Sequence, residues 1–123
     1  MNSLALVYMK EKGFDAAREL LNSVVEIQPN NNEAYKYLGY CYLMLKQYDQ
    51  AIKSYSKGVE INELDWESHR GLGVAYILNG KNEKGEVDEA SRKKALYHWR
   101  RSLEVNPDQP NREGLEKYIK YYS

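Results

Sequence analysis

The chain has 123 residues, with 18 basic and 18 acidic side chains, and carries no net charge at pH 7. A balanced charge gives no general attraction to a polyanion or an anionic membrane surface, which argues against nucleic acid as a partner. A single cysteine cannot form an internal disulfide, so a secreted disulfide scaffold is excluded. No run of about 18 apolar residues and no signal-peptide pattern occur, and we therefore expect no membrane span and a cytoplasmic location.

Helical periodicity runs through the chain and predicts about seven helices. In chain order, we expect them at residues 2–11, 14–28, 31–45, 48–61, 65–79, 87–105 and 108–122. Side chains that can satisfy free backbone N–H groups stand at or near most of the predicted first turns, namely Asp15, Asn31, Asp49, Asp65 and Asp108. Gly13 and Gly80 suit the ends of two helices. The sequence therefore predicts an all-α fold.

A repeat of about 34 residues organises the first six predicted helices into three pairs. Its second copy has the pattern Tyr35-x-x-Leu38-Gly39-x-x-Tyr42 on one helix and Ala51-x-x-x-Tyr55 on the next. Corresponding residues lie one period earlier at Leu4, Ala5, Tyr8, Ala17, Leu21 and Val24, and one period later at His69, Leu72, Gly73 and Tyr76. The second helix of the third copy, with Ala95 and Trp99, arrives ten residues late.

The residue sizes in this repeat have a packing reason. Gly39 and Ala51 have almost no side chain, so the two helices of a pair can approach closely. Tyr55 and Trp99 are expected to fill the space beside such small residues. Pro29 and Pro107 end their repeats because proline cannot donate the backbone hydrogen bond that a helix interior needs.

This pattern resembles the tetratricopeptide repeat family, whose signature is an aromatic-x-x-Leu-Gly-x-x-Tyr helix, an Ala-x-x-x-aromatic helix and a closing Pro. The resemblance covers about nine-tenths of the chain and implies a right-handed α-solenoid of antiparallel helix hairpins. It implies one domain over residues 1–123, with repeats at about 1–31, 32–65 and 66–109, an insertion of ten residues near 79–90, and a capping helix at about 108–122. The second copy has Glu63 in place of the closing Pro, and the first has Met1 and Ala5 in place of the aromatic and the Gly.

The first helix lacks a preceding repeat that would cover its outer apolar side, formed by Leu4, Leu6 and Val7. Two explanations are open. Either the chain is cut from a longer solenoid, which we favour, or another molecule covers this end, a second copy of the chain being one candidate. A homo-oligomer through the N-terminal end face would follow from the second explanation.

The inserted segment is polar and contains Gly80 and Gly85, which predicts a mobile loop. The pairs Asp88/Arg92 and Glu89/Lys93 support a helix that begins soon after it. The segment and this helix could offer a basic lip to an acidic partner, formed by Lys81, Lys84, Arg92, Lys93 and Lys94. We favour the alternative that these cations form a solvated face, balanced by Glu83, Glu86, Asp88 and Glu89.

Side chains suited to chemistry are few. His69, His98 and Cys41 are the soft metal ligands of the sequence, and no two of them stand at a spacing that presents both on one face. His69 takes the aromatic position of the repeat, so we expect a packed ring. No phosphate-binding loop, nucleophile elbow or dinucleotide fingerprint occurs. We therefore expect no metal, no cofactor and no enzymatic activity.

The family resemblance also implies a partner site, because the first helix of each hairpin lines the concave surface of such a solenoid. In the same register, that surface holds Asn2, Leu6, Met9, Glu33, Lys36, Tyr37, Tyr40, Leu43, Glu67, Arg70, Val74 and Ile77. Leu6, Tyr40 and Val74 would form an apolar row, with Lys36 and Arg70 beside it. This surface suits a protein or peptide with apolar anchors and acidic groups. Equally open is the alternative that Glu33 and Glu67 neutralise the two cations along the same helix faces.

Family members that hold the C-terminal carboxylate of heat-shock chaperones use a Lys/Asn, Asn and Lys/Arg clamp on three first helices. This chain has Asn2/Leu6, Tyr37 and Glu67/Gly71 at those places, so we do not expect a chaperone tail as partner. The favoured hypothesis is an adaptor that holds a peptide or protein in the concave groove. The alternative is an assembly subunit that stacks through its end faces. We expect the last helix to be a cap, although Tyr118 and Tyr121 could contact a partner.

Overall fold

The computed structural model describes residues 2–123, with side chains from Leu4 onward, and contains seven α-helices in that range. They are α1 (Asn2–Glu11), α2 (Phe14–Ile27), α3 (Asn32–Met44), α4 (Tyr48–Ile61), α5 (Trp66–Gly80), α6 (Glu89–Val105) and α7 (Arg112–Tyr122). No strand occurs between residues 2 and 123, where one isolated β-bridge joins Lys81 to Val87. The predicted all-α class and the number of helices are confirmed.

Helix starts follow local side-chain chemistry. At three caps a side-chain oxygen accepts a hydrogen bond from a backbone N–H of the first turn: Asn31 accepts from Ala34 at 3.0 Å, Asp65 from Ser68 at 3.2 Å, and Asp88 from Ser91 at 2.9 Å. The prediction that α7 begins near Asp108 is wrong, because Pro110 and the left-handed Asn111 (φ 56°) delay the helix to Arg112.

Consecutive helices pack against each other, and α3 also contacts both α1 and α5 along one side of the molecule. The first helices of the three hairpins thus form one continuous row, as a solenoid requires. The core lies within the hairpins and between them. Its largest fully buried side chains include Leu21, Leu38 and Leu72, which are the repeat leucines and their neighbours.

Glycines create the space for two large rings of the second helices. A Cβ atom placed on Gly39 would lie 2.7 Å from the Tyr55 ring, and one placed on Gly73 would lie 2.1 Å from Trp99 Nε1. Contacts this short do not occur in proteins, so α3 and α5 can approach the rings only because these positions lack a side chain. The predicted pairing of small residues with Tyr55 and Trp99 is confirmed.

The inserted segment forms a hydrogen-bonded hairpin between α5 and α6. Asn82 Oδ1 accepts from the backbone N–H groups of Lys84 at 2.9 Å and Glu86 at 3.0 Å, and Gly85 (φ 81°) completes the turn. The N–H of Asp88 donates to the Gly80 carbonyl at 3.2 Å, which joins the end of α5 to the start of α6. We call residues 81–87 the insertion hairpin.

Among residues 2–123, no helix is both long enough and apolar enough to span a bilayer.

Candidate functional site

A pocket of about 380 Å³ opens along the row of first helices, and we call it the groove pocket. Its walls come from α1, α3 and α5, and its floor includes one residue of α4. The lining residues are Leu6, Met9, Lys36, Tyr37, Tyr40, Tyr55, Trp66, Glu67 and Arg70. Most of the described residues that we predicted for the concave surface therefore meet in one place. The volume and the largely apolar, aromatic lining are typical of ligand sites.

The remaining predicted residues lie elsewhere. Leu43 is partly buried and packs against the cluster around Tyr55. Val74 and Ile77 line a second pocket of about 190 Å³ between α5 and α7, beside Trp99 and Tyr122. Ile77 is 5% exposed, so little of it is open to a partner. Met1 and the side chain of Asn2 fall outside the described residues.

Lys36 is held by an acidic neighbour from the next hairpin. Its Nζ lies 3.2 Å from Glu67 Oε1 and 5.2 Å from the centre of the Tyr37 ring. Burial lowers the pKa of Lys36, but the hydrogen bond and the charge of Glu67 outweigh it, so the pKa is raised. The pairing runs between α3 and α5. It differs from the alternative of pairing along single helix faces, because α3 and α5 lie close enough for Lys36 to reach Glu67.

Arg70 is fixed by neutral acceptors. Its Nη1 donates to Gln109 Oε1 at 2.9 Å and to the Pro110 carbonyl at 2.6 Å. Glu67 forms its ion pair with Lys36, so the alternative in which Glu67 neutralises Arg70 does not occur. The groove pocket therefore keeps one positive charge, held in a defined position.

The acceptor of Arg70 belongs to a buried polar chain. Gln109 is 3% exposed, and its Nε2 donates to Ser102 Oγ at 2.9 Å. The Ser102 hydroxyl in turn donates to the Trp66 carbonyl at 3.0 Å. This chain connects the first turn of α5, which carries two lining residues of the groove pocket, to the connection between α6 and α7. Such fully bonded networks fix the position of their members.

Sequence reasoning missed two lining residues, Tyr55 and Trp66. Tyr55 comes from α4, a second helix, and its ring passes between Gly39 of α3 and Gly71 of α5 to reach the groove pocket. The signal in the sequence was Gly71, which stands one period after Tyr37 and leaves a space that the repeat does not require. Trp66 is the first residue of α5, directly after its cap Asp65, and carries no repeat signal.

The histidines and the cysteine are packed, as predicted for His69. His69 is 5% exposed, and its Nε2 lies 3.0 Å from the Glu63 carbonyl, which leaves its Nδ1 to meet His98 Nδ1 at 3.0 Å. Burial, and then the neighbouring His69, lower the pKa of His98 to about 4. Burial raises the pKa of Cys41 to about 11, so it stays a thiol. Among the described residues, no three potential ligands lie together as a metal site.

Two tetratricopeptide repeat models match the sequence, one over residues 1–31 and the other over residues 33–63. No curated protein matches it significantly. Among solved structures, the first TPR of Spaghetti (RPAP3) bound to the HSP90 peptide SRMEEVD has a TM-score of 0.81 at 17% identity, covering 98% of this chain and 85% of its own. The Arabidopsis OM64 TPR domain has a TM-score of 0.82 at 17% identity, with coverages of 97% and 90%.

The type III secretion chaperone SycD of Yersinia enterocolitica, in complex with a peptide of the translocator YopD, has a TM-score of 0.77 at 17% identity, with coverages of 98% and 84%. At these identities the structural similarity shows the fold alone, and it confirms the α-solenoid of helix hairpins. The sequence matches together span half of the chain. The chain therefore belongs to the tetratricopeptide repeat family.

Proposed function

We propose that this chain is an adaptor that holds a peptide or protein segment in the groove pocket, and that its role is binding without catalysis. The observation that carries the proposal is the pocket itself, in which six side chains of apolar or aromatic type surround one fixed cation, Arg70. Family membership supports it, because repeats of this type serve as interaction modules. Two of the similar structures contain a bound peptide, one from HSP90 and one from YopD.

The groove pocket favours a partner with a large apolar anchor and an acidic group. Leu6, Met9 and Trp66 offer apolar contacts, whereas Arg70 has no acidic partner among the described residues. Glu67 is bonded to Lys36 and reduces the positive charge at the opposite wall. A segment with one acidic group near its anchor therefore fits better than a strongly acidic tail, and we do not expect chaperone C-termini to bind.

A displayed library of random peptides tests this proposal. Wild type should enrich sequences with a large apolar residue, and the variant Lys36→Glu/Tyr40→Ala/Arg70→Glu should lose them. A matched control, Lys53→Glu/Tyr97→Ala/Arg100→Glu, makes the same chemical changes outside the groove pocket and should bind as wild type does. The single change Tyr40→Ala, at a side chain that is 43% exposed, keeps the test valid if the triple variant unfolds. Equal enrichment by wild type and both groove variants would reject the groove.

A second candidate is an assembly subunit, and the outer side of α1 is the observation in its favour. Leu4 is 46% exposed and Val7 45%, which is unusual for neighbouring aliphatic side chains, whereas Leu6 lines the groove pocket. Light scattering coupled to size-exclusion chromatography would show concentration-dependent association, and Leu4→Glu/Val7→Glu should abolish it without changing peptide binding. A monomer at every concentration would remove this candidate.

A further inference from the structure

We infer that the Tyr55 hydroxyl selects the anchor side chain of the partner, and that this anchor is a tyrosine whose own hydroxyl accepts a hydrogen bond at the floor of the groove pocket. The inference rests on the proposed function and goes further, because it names the recognised group. Four observations support it: the path of the Tyr55 ring, the missing partner of its hydroxyl, the aromatic walls, and the charges near the floor.

The ring of Tyr55 crosses from one side of the helix row to the other. Its inner atoms face α3, where a Cβ atom on Gly39 would lie 2.7 Å from Cγ. Its outer atoms face α5, where a Cβ atom on Gly71 would lie 2.4 Å from Cζ. Because Cζ carries the hydroxyl, the polar end of the ring lies beside Gly71, one helical turn after Glu67, where Tyr55 lines the groove pocket.

The Tyr55 hydroxyl has no hydrogen-bond partner among the residues that the structure describes, although the side chain is only 4% exposed. The corresponding ring of the next hairpin differs in this respect. Trp99 also fills the space beside a glycine, but its Nε1 donates to the Arg70 carbonyl at 3.2 Å. Buried polar groups are nearly always bonded, so an unbonded hydroxyl in the wall of a pocket indicates a ligand atom.

The walls and charges of the groove pocket indicate which kind of ligand group would bond to the Tyr55 hydroxyl. Tyr37, Tyr40 and Trp66 offer ring surfaces, which suit a flat aromatic anchor. Burial raises the pKa of Tyr55 further above the usual range of a phenol, with smaller contributions from Tyr40, Asp65 and Glu67. The Tyr55 hydroxyl thus remains protonated and can donate a hydrogen bond. An anionic ligand group beside it would be repelled by the carboxylates of Asp65 and Glu67.

These conditions separate the aromatic side chains. Phenylalanine would leave the Tyr55 hydroxyl unbonded, and the indole of tryptophan can donate but cannot accept. A phenol oxygen accepts a hydrogen bond from the Tyr55 O–H, and the phenol carries no charge near Glu67. Sites built around a hydrogen bond to a hydroxyl discriminate against the analogue that lacks it.

The test compares p-cresol with toluene, the side-chain analogues of tyrosine and phenylalanine. Binding is followed by the NMR signal of the Trp66 indole N–H, which lines the pocket. We expect the affinity for p-cresol relative to that for toluene to be about fivefold lower in Tyr55→Phe than in wild type. The control Tyr97→Phe removes a hydroxyl from a side chain that is 62% exposed and lies outside the groove pocket, and should leave the ratio unchanged.

Thermal melting of the free protein gives an independent result. If the hydroxyl is unbonded in the free protein, Tyr55→Phe keeps or raises the melting temperature, whereas the same change weakens binding of the phenol. A fall of about 4 °C or more would mean that the hydroxyl is already satisfied within the fold, and would overturn the inference.

The binding outcomes also separate the two proposals. An unchanged ratio in Tyr55→Phe overturns the selection by Tyr55 and leaves the groove as a peptide site. Failure of both probes to bind, while peptides are still enriched by wild type and lost by the groove variants, overturns the tyrosine anchor only. Failure of probes and peptides together overturns both proposals.

Discussion

Gly73→Ala adds one methyl group at the most crowded glycine of the fold, and its effect can be worked out from the structure. The new Cβ atom would lie 2.1 Å from Nε1 and 2.3 Å from Cδ1 of Trp99. The indole is 2% exposed and cannot move away freely, because the rings of Tyr118 and Tyr122 lie 6.0 Å and 5.9 Å from it. Either α5 and α6 move apart or the indole tilts and loses its hydrogen bond to the Arg70 carbonyl.

Overpacking of this kind costs about 1–3 kcal/mol, and the lost hydrogen bond costs about 1 kcal/mol more. The better helix propensity of alanine offsets about 1 kcal/mol. We therefore expect Gly73→Ala to lower the free energy of unfolding by about 1–3 kcal/mol. Urea denaturation followed by circular dichroism and by tryptophan fluorescence measures this change.

The control is Gly114→Ala, also inside a helix. Its Cβ atom would lie 2.6 Å from the side-chain amide of Asn111, which makes no capping hydrogen bond and is exposed, so it can turn away. Helix propensity then decides, and the variant should be as stable as wild type or more stable. A loss below about 0.5 kcal/mol for Gly73→Ala would refute the argument that this glycine sets the distance between α5 and α6.

Three further outcomes follow from the buried groups. The pKa of His98 is about 4 in the folded state, below its unfolded value of 6.5. Between these two pH values the unfolded chain binds more protons than the folded chain does. The contribution of neutral His98 to stability is therefore complete above about pH 7 and is lost as the pH falls from 6.5 to 4. Because His98 is partly exposed, we expect a loss of about 1–2 kcal/mol, and urea titrations at several pH values should show it flattened in His98→Gln. Cys41 is buried with a pKa of about 11, so iodoacetamide should label the native protein far more slowly than the urea-unfolded chain; similar rates would contradict the packing around it. Gln109→Ala removes the acceptor of Arg70 and the donor to Ser102, and should lower the free energy of unfolding by about 1–3 kcal/mol. An unchanged midpoint of urea denaturation would mean that this polar chain is not maintained in solution.

The sequence predicted the helices well because their signals are local. Spacing of leucines and small residues identified each pair, and Asn31 and Asp65 marked two of the starts. The start of α7 was misplaced because Asp108 resembles a cap, whereas the backbone of Asn111 decides the boundary. The insertion hairpin was missed because one side chain, that of Asn82, closes the turn through two backbone N–H groups. The composition of the segment shows that it is polar, but it does not predict the hydrogen bonds by which Asn82 closes the turn.

For the candidate site, the helical period predicted which face of the first helices lines the groove pocket, but it did not predict the contacts between side chains there. Leu6, Tyr40 and Arg70 lie on the first helices, so their common side follows from periodicity. Lys36 and Glu67 are 31 residues apart in sequence, and their pairing depends on the distance between the helices α3 and α5. Tyr55 reaches the site through a gap whose two sides, Gly39 and Gly71, belong to different helices. Such arrangements depend on tertiary geometry.

The insertion hairpin has a practical consequence for experiments on this chain. Its two arms are joined at the base by the hydrogen bond from the Asp88 N–H to the Gly80 carbonyl, and its tip is the exposed Gly85. Residues added at the tip leave the base closed, so the ends of α5 and α6 keep their positions. A fluorescent protein or an affinity tag inserted at Gly85 would report on this chain in cells while the groove pocket and both ends of the solenoid remain free for partners.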